Sequence, residues 1–317
     1  PLTLDIPKPI VPIFDRPFLY YQTDLLRSVP EIDEVILSLN YKPDLIERRV
    51  GNGLEAGISI RYAVEPYPLG TGGAIKYASA GVDDTLLVFN GDVLTNIDLS
   101  AVIRQHRKRE ALATIVLTPV DNPSAYGLVD TDGAGNVRRF LEKPEADEIT
   151  CNTINAGIYV LEPKTFSSIP DRTKWSIERQ FFPFLISRGD TFTAYVDRGY
   201  WLDIGTPASY VRAHRDLMTQ ACPAGPFLGL ETDAVRRGSN CQIADNAEVE
   251  GPCFLGDNCV VEAGARVSAH SVIGQNCIIR TGATINRSVV LCDSHIDSQA
   301  VIREAILGER CHIEHHA

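Results

Sequence analysis

The chain has 317 residues, of which 44% are hydrophobic and 22% charged, and its formal net charge is −11. This length exceeds what one core usually supports, so two domains are expected. This net negative charge argues against general binding to nucleic acid or to anionic membranes. No apolar run approaches the ~20 residues that span a bilayer. Eight cysteines without a CxxC pair predict a reduced, cytoplasmic protein rather than a disulfide scaffold.

The first two thirds of the chain alternate strand-like and helix-like segments. Short apolar runs, typical of a sheet buried on both faces, lie at 35–39, 86–89 and 114–117. Helical patterns lie at 18–29, 43–51, 73–80, 99–110 and 207–221. The alternation predicts an α/β domain over residues 1–221, with a Rossmann-like, mostly parallel mixed sheet and flanking helices.

Beyond a proline- and glycine-containing linker at 222–238, the hydrophobic period changes to six residues. An aliphatic residue occupies every sixth position from Ile243 to Ile285, and a small residue lies four positions after each of the first seven. Six-residue repeats stack short parallel strands into a triangular prism, which neither a helical nor a simple strand period explains. We therefore expect a left-handed parallel β-helix over 239–317, whose open coil ends favour a homo-oligomer.

Two acidic residues follow predicted strands. Asp92 comes shortly after the apolar run that ends at Phe89, and Asp203 lies in the stretch 199–206. Ligands of open α/β sheets bind at the carboxyl ends of parallel strands, and carboxylates there suit Mg²⁺, a cation that prefers oxygen ligands. Each acid alone is equally well explained as a turn residue.

Two lysines and a glycine-rich stretch are further candidates for phosphate binding. Lys8 lies between two prolines and Lys143 precedes one, and proline stiffens the adjoining backbone so that an ammonium group is better fixed. For either lysine alone, a solvated surface position is the simpler interpretation. The stretch 69–74 precedes a helical segment, where glycines let a ligand approach backbone amides. Many turns use glycine in this way, so the motif is only moderately specific.

The ordered combination of motifs is more specific than any one of them. It comprises Pro-Leu-Thr (1–3), Pro-Lys-Pro (7–9), Leu-Gly-Thr-Gly-Gly-Ala (69–74), Gly-Asp (91–92), Tyr-Gly (126–127), Glu-Lys-Pro (142–144), Asn-Ala-Gly-Ile-Tyr (155–159) and Trp-Leu-Asp-Ile-Gly-Thr (201–206). With this series the chain resembles the sugar-phosphate nucleotidyltransferases, or NDP-sugar pyrophosphorylases, some of which carry a hexapeptide β-helix behind the catalytic domain. Within them it is most similar to the mannose-1-phosphate guanylyltransferase branch, through 176–183 and 65–71.

The resemblance implies that the protein joins a nucleoside triphosphate to a sugar 1-phosphate and releases pyrophosphate, with GTP and mannose 1-phosphate as the expected pair. Mg²⁺ would be the cofactor, with Asp92 and Asp203 as ligands. Lys8 would meet the nucleotide phosphates, and Lys143 the phosphate that joins sugar to nucleotide. The implied nucleotide side comprises Glu65, Gly70, Thr71, Gly72 and Gly91, and the implied sugar side Gly127, Glu142, Asn155 and Gly157.

Three alternatives stay open. The family's glycine-rich loop with its arginine, which runs into Pro-Leu-Thr, is not in the sequence. We expect that the native protein has such a preceding segment, the alternative being a catalytically silent, regulatory homologue that binds sugar nucleotide. The motifs do not fix base or sugar, which leaves a glucose-1-phosphate uridylyl-, thymidylyl- or adenylyltransferase as a second alternative. A third is an acyltransferase site in the β-helix with His270 or His295 as base, where we expect stacking and oligomerisation instead.

Overall fold

A computed structural model describes residues 3–142 and 145–317. The chain divides into two compact units: unit A is Gln22–Trp201, and unit B joins Pro1–Tyr21 to Leu202–Ala317. No helix in the described part of the chain is long and apolar enough to cross a membrane. The sequence-based domain boundaries at 221 and 239 stay predictions. The helices are α1 (Leu19–Leu26), α2 (Pro43–Val50), α3 (Gly70–Ala78), α4 (Leu99–Lys108), α5 (Phe182–Arg188) and α6 (Pro207–Met218).

Unit A is built around a mixed sheet with the strand order β11-β7-β10-β8-β9, and β5 also pairs with β10. Strand β11 is parallel to β7, whereas β10 is antiparallel to β5, β7 and β8. Strands β3 and β4 form a separate parallel pair. The Rossmann-like mixed sheet with helices is confirmed. The strands are β1 (Pro12–Ile13), β2 (Arg16–Pro17), β3 (Glu34–Leu39), β4 (Ser59–Val64), β5 (Leu86–Phe89), β6 (Val93–Thr95), β7 (Ala113–Pro119), β8 (Gly127–Thr131), β9 (Val137–Glu142), β10 (Thr153–Leu161), β11 (Phe192–Val196) and β12 (Trp201–Asp203).

Both faces of this sheet are buried at β7, as its apolar sequence predicts. Ile115 and Leu117 of β7 belong to the core cluster that contains α5, whereas Val116 between them belongs to the cluster that contains α4. This alternation follows from the two-residue period of a strand. Each fully buried aliphatic side chain contributes roughly 1.5–3 kcal/mol, so packing on two faces fixes the strands whose ends carry the site.

Unit B contains the six-residue repeats as three parallel sheets of five, five and four strands. Val261 pairs with Ile279, and Ile279 pairs with Ile296, so a coil has 18 residues first and 17 later. Three repeats therefore make one coil, and the dropped residue in the sequence is a shortened coil. The parallel β-helix is confirmed, and its hand stays a prediction. Its strands are β13 (Val235–Arg237), β14 (Gln242–Ile243), β15 (Glu248–Val249), β16 (Cys253–Leu255), β17 (Val260–Val261), β18 (Arg266–Val267), β19 (Val272–Ile273), β20 (Ile278–Ile279), β21 (Thr284–Asn286), β22 (Val289–Val290), β23 (His295–Ile296), β24 (Val301–Arg303), β25 (Ile306–Leu307) and β26 (His312–Ile313).

A short hairpin of β1 and β2 packs against the β-helix within unit B. Phe14 at its tip lies 5.1 Å from Phe254 of β16 and 4.8 Å from His214 of α6, measured between ring centroids. The adjacent Asp15 carboxylate lies so close to Gly256 that any side chain on that glycine would collide with it. The Tyr210 hydroxyl of α6 donates to a hairpin carbonyl. The segment that follows Lys8 is therefore fixed on the β-helix and on α6.

Candidate active site

The glycine-rich stretch forms the first turn of α3 and packs against the segment 173–177. Gly70 has a φ of +69°, and a side chain there would come within 2.8 Å of the Trp175 carbonyl oxygen. The N–H groups of Gly72 and Gly73 donate to this oxygen at 2.8 and 3.1 Å. Because glycine lacks a Cβ, the helix can begin in contact with another stretch of main chain. These glycines are therefore needed for packing, independently of any nucleotide.

The side chain of Thr71 links this loop to Glu178. The Thr71 hydroxyl donates to Glu178 Oε2 at 2.8 Å, and the Ser176 hydroxyl donates to the same oxygen at 2.8 Å. Just upstream, the Glu65 carboxylate accepts a hydrogen bond from the Leu69 N–H at 2.8 Å and so stabilises the turn before α3. Sequence reasoning missed Glu178 as a site residue, and only its place in the branch-like stretch 176–183 could have indicated it.

Asn90, Gly91 and Asp92 form the loop between β5 and β6, and Gln22 of α1 holds this loop. Gln22 is buried, and its Nε2 donates to the carbonyl oxygens of Asn90 and Val93, both at 2.9 Å. The main chain on either side of Gly91 and Asp92 is thus tied to a helix. Asp92 is half-buried at the carboxyl end of β5, as the sequence predicts. The apolar pattern of α1 does not single out Gln22, so sequence reasoning missed it.

A β-bulge in β10 carries Asn155 and Gly157. The register with β7 shifts between Asn155 and Tyr159. Asn155 Oδ1 accepts from the Gly157 N–H, and Asn155 Nδ2 donates to the Tyr159 hydroxyl, both at 2.9 Å. Gly157 has a φ of +74°, and a Cβ there would come 2.7 Å from Asn90 Nδ2. Bulges commonly re-aim side chains near active sites, and this one places Asn155 and Gly157 beside the loop of Asp92.

Replacing Gly157 by alanine should destabilise the protein by at least about 2 kcal/mol, because left-handed strain adds to the collision with Asn90. Gly189→Ala is the matched control, since Gly189 has a φ of +72° and an added Cβ would meet nothing within 4 Å. The free energy of unfolding of both variants is measured by chemical denaturation. Both variants have the backbone strain, and only Gly157→Ala adds the collision, so the difference between them gives the cost of the collision. Equal destabilisation of the two would contradict the tight contact between Gly157 and Asn90.

Gly127 and Glu142 are direct neighbours on β8 and β9. They pair in register, and a Cβ on Gly127 would come 3.0 Å from Glu142 Oε2. Beside them, the ring of Trp201 lies 5.5 Å from that of Tyr126, and its Nε1 donates to the Ala156 carbonyl at 2.9 Å. Strand β8 lies between β9 and β10 in the sheet. The four residues expected on the sugar side therefore come from three adjacent strands.

Tyr159 lies between the expected nucleotide and sugar sides. It is fully buried, and burial raises the pKa of its hydroxyl, with a further rise from the negative charges of Glu178 and Glu142. Hydrogen bonds with Asn155 and Asn90 act in the opposite direction. The carboxylate of Glu142, expected on the sugar side, and that of Glu178, which accepts a hydrogen bond from Thr71, therefore act on the same phenol. Its hydroxyl stays protonated at neutral pH, so it positions the surrounding amides rather than exchanging a proton.

In unit B, Lys8 and Asp203 both lie next to Gly205. Lys8 begins a 3₁₀ helix, Lys8–Ile10, directly after Pro7. Asp203 ends β12, and its Oδ1 accepts from the Gly205 N–H at 2.6 Å. A Cβ on Gly205 would lie 2.7 Å from this oxygen and 3.7 Å from Lys8 Nζ. A predicted cation and a predicted carboxylate, far apart in the sequence, are therefore neighbours in the fold.

Lys143 lies outside the described residues, so its expected contact with a phosphate stays a prediction. Over 3–142 and 145–317, no group of three or more His, Cys, Asp or Glu side chains could hold a metal ion. Mg²⁺ is usually bound through one or two carboxylates together with substrate phosphates. The half-buried carboxylates of Asp92 and Asp203 are donors of the type that fits such binding.

Known protein families account for most of the chain. Residues 1–220 match the family described as nucleotidyl transferase, and residues 249–317 match the one described as GMPPB C-terminal domain. The chain belongs to the nucleotidyl transferase family. The predicted resemblance to the sugar-phosphate nucleotidyltransferases is thereby confirmed.

Curated relatives within this nucleotidyl transferase family come from several kingdoms. "Mannose-1-phosphate guanylyltransferase" of Mycobacterium tuberculosis is 41% identical over 233 residues, covering 72% of this chain and 64% of its own length. "Probable mannose-1-phosphate guanylyltransferase 2" of Arabidopsis thaliana is 35% identical over 80% of this chain and 73% of its own length. "UTP--glucose-1-phosphate uridylyltransferase" of Synechocystis is 32% identical over 81% and 70%. The chain thus spans less than two thirds of the mycobacterial relative.

Solved structures similar to this nucleotidyl transferase include HddC from Yersinia pseudotuberculosis. One HddC structure has a TM-score of 0.60 and 31% identity, covering 68% of this chain and 94% of HddC. A second, complexed with GMP-PN, has a TM-score of 0.58 and 32% identity, covering 67% and 91%.

Proposed function

We propose that the protein is a sugar-1-phosphate nucleotidyltransferase that makes GDP-mannose and pyrophosphate from GTP and mannose 1-phosphate. Two relatives named mannose-1-phosphate guanylyltransferase, at 41% and 35% identity, support this substrate pair. The similar HddC structure that is complexed with GMP-PN supports a guanine nucleotide. The observation that carries the proposal is the cluster around Tyr159. Asn155, expected on the sugar side, donates to the Tyr159 hydroxyl, and Glu178, whose charge acts on the same phenol, accepts a hydrogen bond from Thr71, expected on the nucleotide side.

The proposed reaction is an in-line displacement. An oxygen of the sugar phosphate attacks the α-phosphorus, a new P–O bond forms, and the bond to the β-phosphate oxygen breaks as pyrophosphate leaves with its electron pair. The attacking oxygen is already an anion, so the site needs no general base. What it must supply is positioning of two polyanions and stabilisation of charge at the reacting phosphorus.

The roles of the charged residues follow from this requirement. Mg²⁺ would neutralise phosphate charge, with carboxylate ligands from Asp92 and Asp203. The Lys8 ammonium, which lies near Asp203 in unit B, would bind nucleotide phosphates. We assign Lys143 to the phosphate that joins sugar and nucleotide, on the resemblance alone.

The uncharged and acidic residues of unit A would bind the two organic parts of the substrates. Glu142 and Asn155 would accept hydrogen bonds from sugar hydroxyls, since a carboxylate and an amide oxygen are natural acceptors. Gly127 and Gly157 would leave room beside them. The Gly70–Gly72 turn, with Glu65 and Gly91, would border the base. The cytoplasmic location and a homo-oligomer through the β-helix stay predictions.

One assay of product formation tests this proposal. The full-length protein is incubated with Mg²⁺, each of GTP, UTP, ATP and dTTP, and mannose or glucose 1-phosphate. Pyrophosphate release and the NDP-sugar are then measured. We expect GTP with mannose 1-phosphate to give the highest rate and GDP-mannose as product.

The same assay distinguishes the alternatives. The relative named UTP--glucose-1-phosphate uridylyltransferase, at 32% identity over 272 residues, favours glucose 1-phosphate and UTP as the second candidate pair. A higher rate with that pair would replace the guanylyltransferase proposal. Pyrophosphate release with none of the eight combinations would instead support a silent homologue.

A further inference from the structure

A cavity of about 940 Å³ lies within unit B, between α6 and one edge of the β-helix. We call it the α6 pocket. Its apolar wall includes Ala208 and Val211 of α6 and Ile306 of β25. Neither Lys8 nor Asp203 lines it. Its volume is within the range of sites that bind small molecules, so the polar side chains that line it decide what it can hold.

Three of these polar residues come from successive coils at one edge of the β-helix. His270, Arg287 and Glu304 have φ values of +63°, +45° and +47°. At another edge the same left-handed positions include Asn258 and Asn276, whose side chains hydrogen-bond to each other at 3.0 Å. Asparagine tolerates this backbone region better than arginine or glutamate does. The edge facing α6 therefore presents charged side chains at some cost in backbone strain, as sites of function often do.

The pocket is lined by two arginines, Arg215 and Arg287, whose guanidinium groups can bind a ligand. Arg215 Nε lies 3.6 Å from Asp216 Oδ1, while Arg212 holds the other oxygen of Asp216 at 3.0 Å. Arg215 can therefore turn towards a ligand without leaving that carboxylate unpaired. His270 Nδ1 is buried and has no hydrogen-bond partner within the described residues. Burial lowers the pKa of His270, as do the positive charges of Arg215 and Arg287.

We propose that the α6 pocket binds a phosphate ester that also carries hydroxyl groups, meaning a sugar phosphate or a nucleotide, through Arg215, Arg287 and Glu304. Guanidinium groups match phosphate oxygens in charge and geometry. His270 lines the same pocket, so its imidazole signals report a bound ligand. Glu304 repels a bare anion but accepts hydrogen bonds from hydroxyl groups. The combination selects a ligand that carries both phosphate and hydroxyls.

The test follows the imidazole signals of the full-length protein labelled with ¹⁵N-histidine. His270→Gln identifies the His270 signals among those of the seven histidines. The probes are glucose 6-phosphate, GMP, inorganic phosphate and glucose. We expect glucose 6-phosphate or GMP to shift the His270 signals saturably, with a dissociation constant on the order of 1 mM or tighter. Inorganic phosphate should bind at least about tenfold more weakly, and glucose should have no effect. The tighter of the first two probes distinguishes a sugar phosphate from a nucleotide.

Three variants test the assignment of the side chains. Arg287→Asn removes the cation with a residue suited to the left-handed backbone, and Arg215→Gln removes the second cation. Each should weaken binding at least about tenfold. Arg310→Asn is the matched control, because Arg310 is also an arginine with a left-handed backbone, at a φ of +57°, but does not line the pocket.

Several possible results would contradict the proposal. Unmoved His270 signals with both phosphorylated probes, equal affinity for inorganic phosphate, or equal weakening by Arg310→Asn and Arg287→Asn would each overturn the proposal. The probes are neither nucleoside triphosphates nor sugar 1-phosphates, and the signal is local to His270. The result is therefore independent of whether the proposed transferase activity is correct.

Discussion

Replacing Asp92 by asparagine should lower the rate of pyrophosphate release at least about 10²-fold, because the loss of a metal-binding charge raises the barrier by a few kcal/mol. Asparagine has the shape of aspartate but is neutral and a poorer ligand for Mg²⁺. The loop itself should keep its conformation, since Gln22 holds the carbonyl oxygens on both sides of it at 2.9 Å. We also expect the variant to need a higher Mg²⁺ concentration for half-maximal activity.

Asp84→Asn is the matched control for this prediction. Asp84 precedes β5 and is exposed, whereas Asp92 follows the same strand, so both variants lose one carboxylate near one strand. Rates measured against Mg²⁺ concentration, with unfolding curves for both variants, separate catalysis from folding. A turnover of Asp92→Asn near that of the unchanged protein would count strongly against the metal-binding role, and a similar loss in Asp84→Asn would reveal a nonspecific charge effect.

The β-helix could be predicted from the sequence because its repeat is itself the structure. Each inward aliphatic residue, such as Val261, lies above its counterpart Ile279 one coil later. The period therefore determines both the burial and the pairing of the strands. For the sheet of unit A, the apolar runs predicted where strands lie, and the alternation with helices predicted a mostly parallel mixed sheet without saying which strands are antiparallel. An apolar run has the same composition whichever way it is inserted, so the antiparallel position of β10 among β5, β7 and β8 emerges only from the structure.

The candidate site could be predicted only where motifs mark it. Gly127 and Glu142, predicted on the sugar side, are neighbours on paired strands. Gln22 and Glu178 were missed, because each acts through a contact with a loop distant in sequence. A polar residue in a short helix gives no local sign of such a partner.

Replacing Asp15 by asparagine should stabilise the protein by about 3 kcal/mol at pH 7.5, because the native state places this carboxylate where its ionisation is costly. The pKa of Asp15 is raised from 3.8 to about 6, mainly by burial. A hydrogen bond from the Gln275 main chain opposes this rise, and the charges of Asp257 and Asp293 add to it. The Tyr210 phenol on α6 faces the same carboxyl group. Asparagine keeps the shape and an acceptor oxygen, and it suits the left-handed φ of +63° at this hairpin tip.

The raised pKa of Asp15 determines how the stabilisation by Asp15→Asn depends on pH. A carboxyl group whose pKa is higher in the folded than in the unfolded state binds protons more tightly when folded, so stability falls as pH rises between the two values. The advantage of Asp15→Asn should therefore be small below pH 4, grow up to about pH 6 and stay constant above it. Unfolding curves at several pH values measure it, with the exposed Asp245→Asn as control. An advantage independent of pH would show that the ionisation of Asp15 is not its cause. Because the hairpin joins the Lys8 segment to the β-helix, a confirmed result would mean that this junction is weakened near neutral pH by its own buried charge.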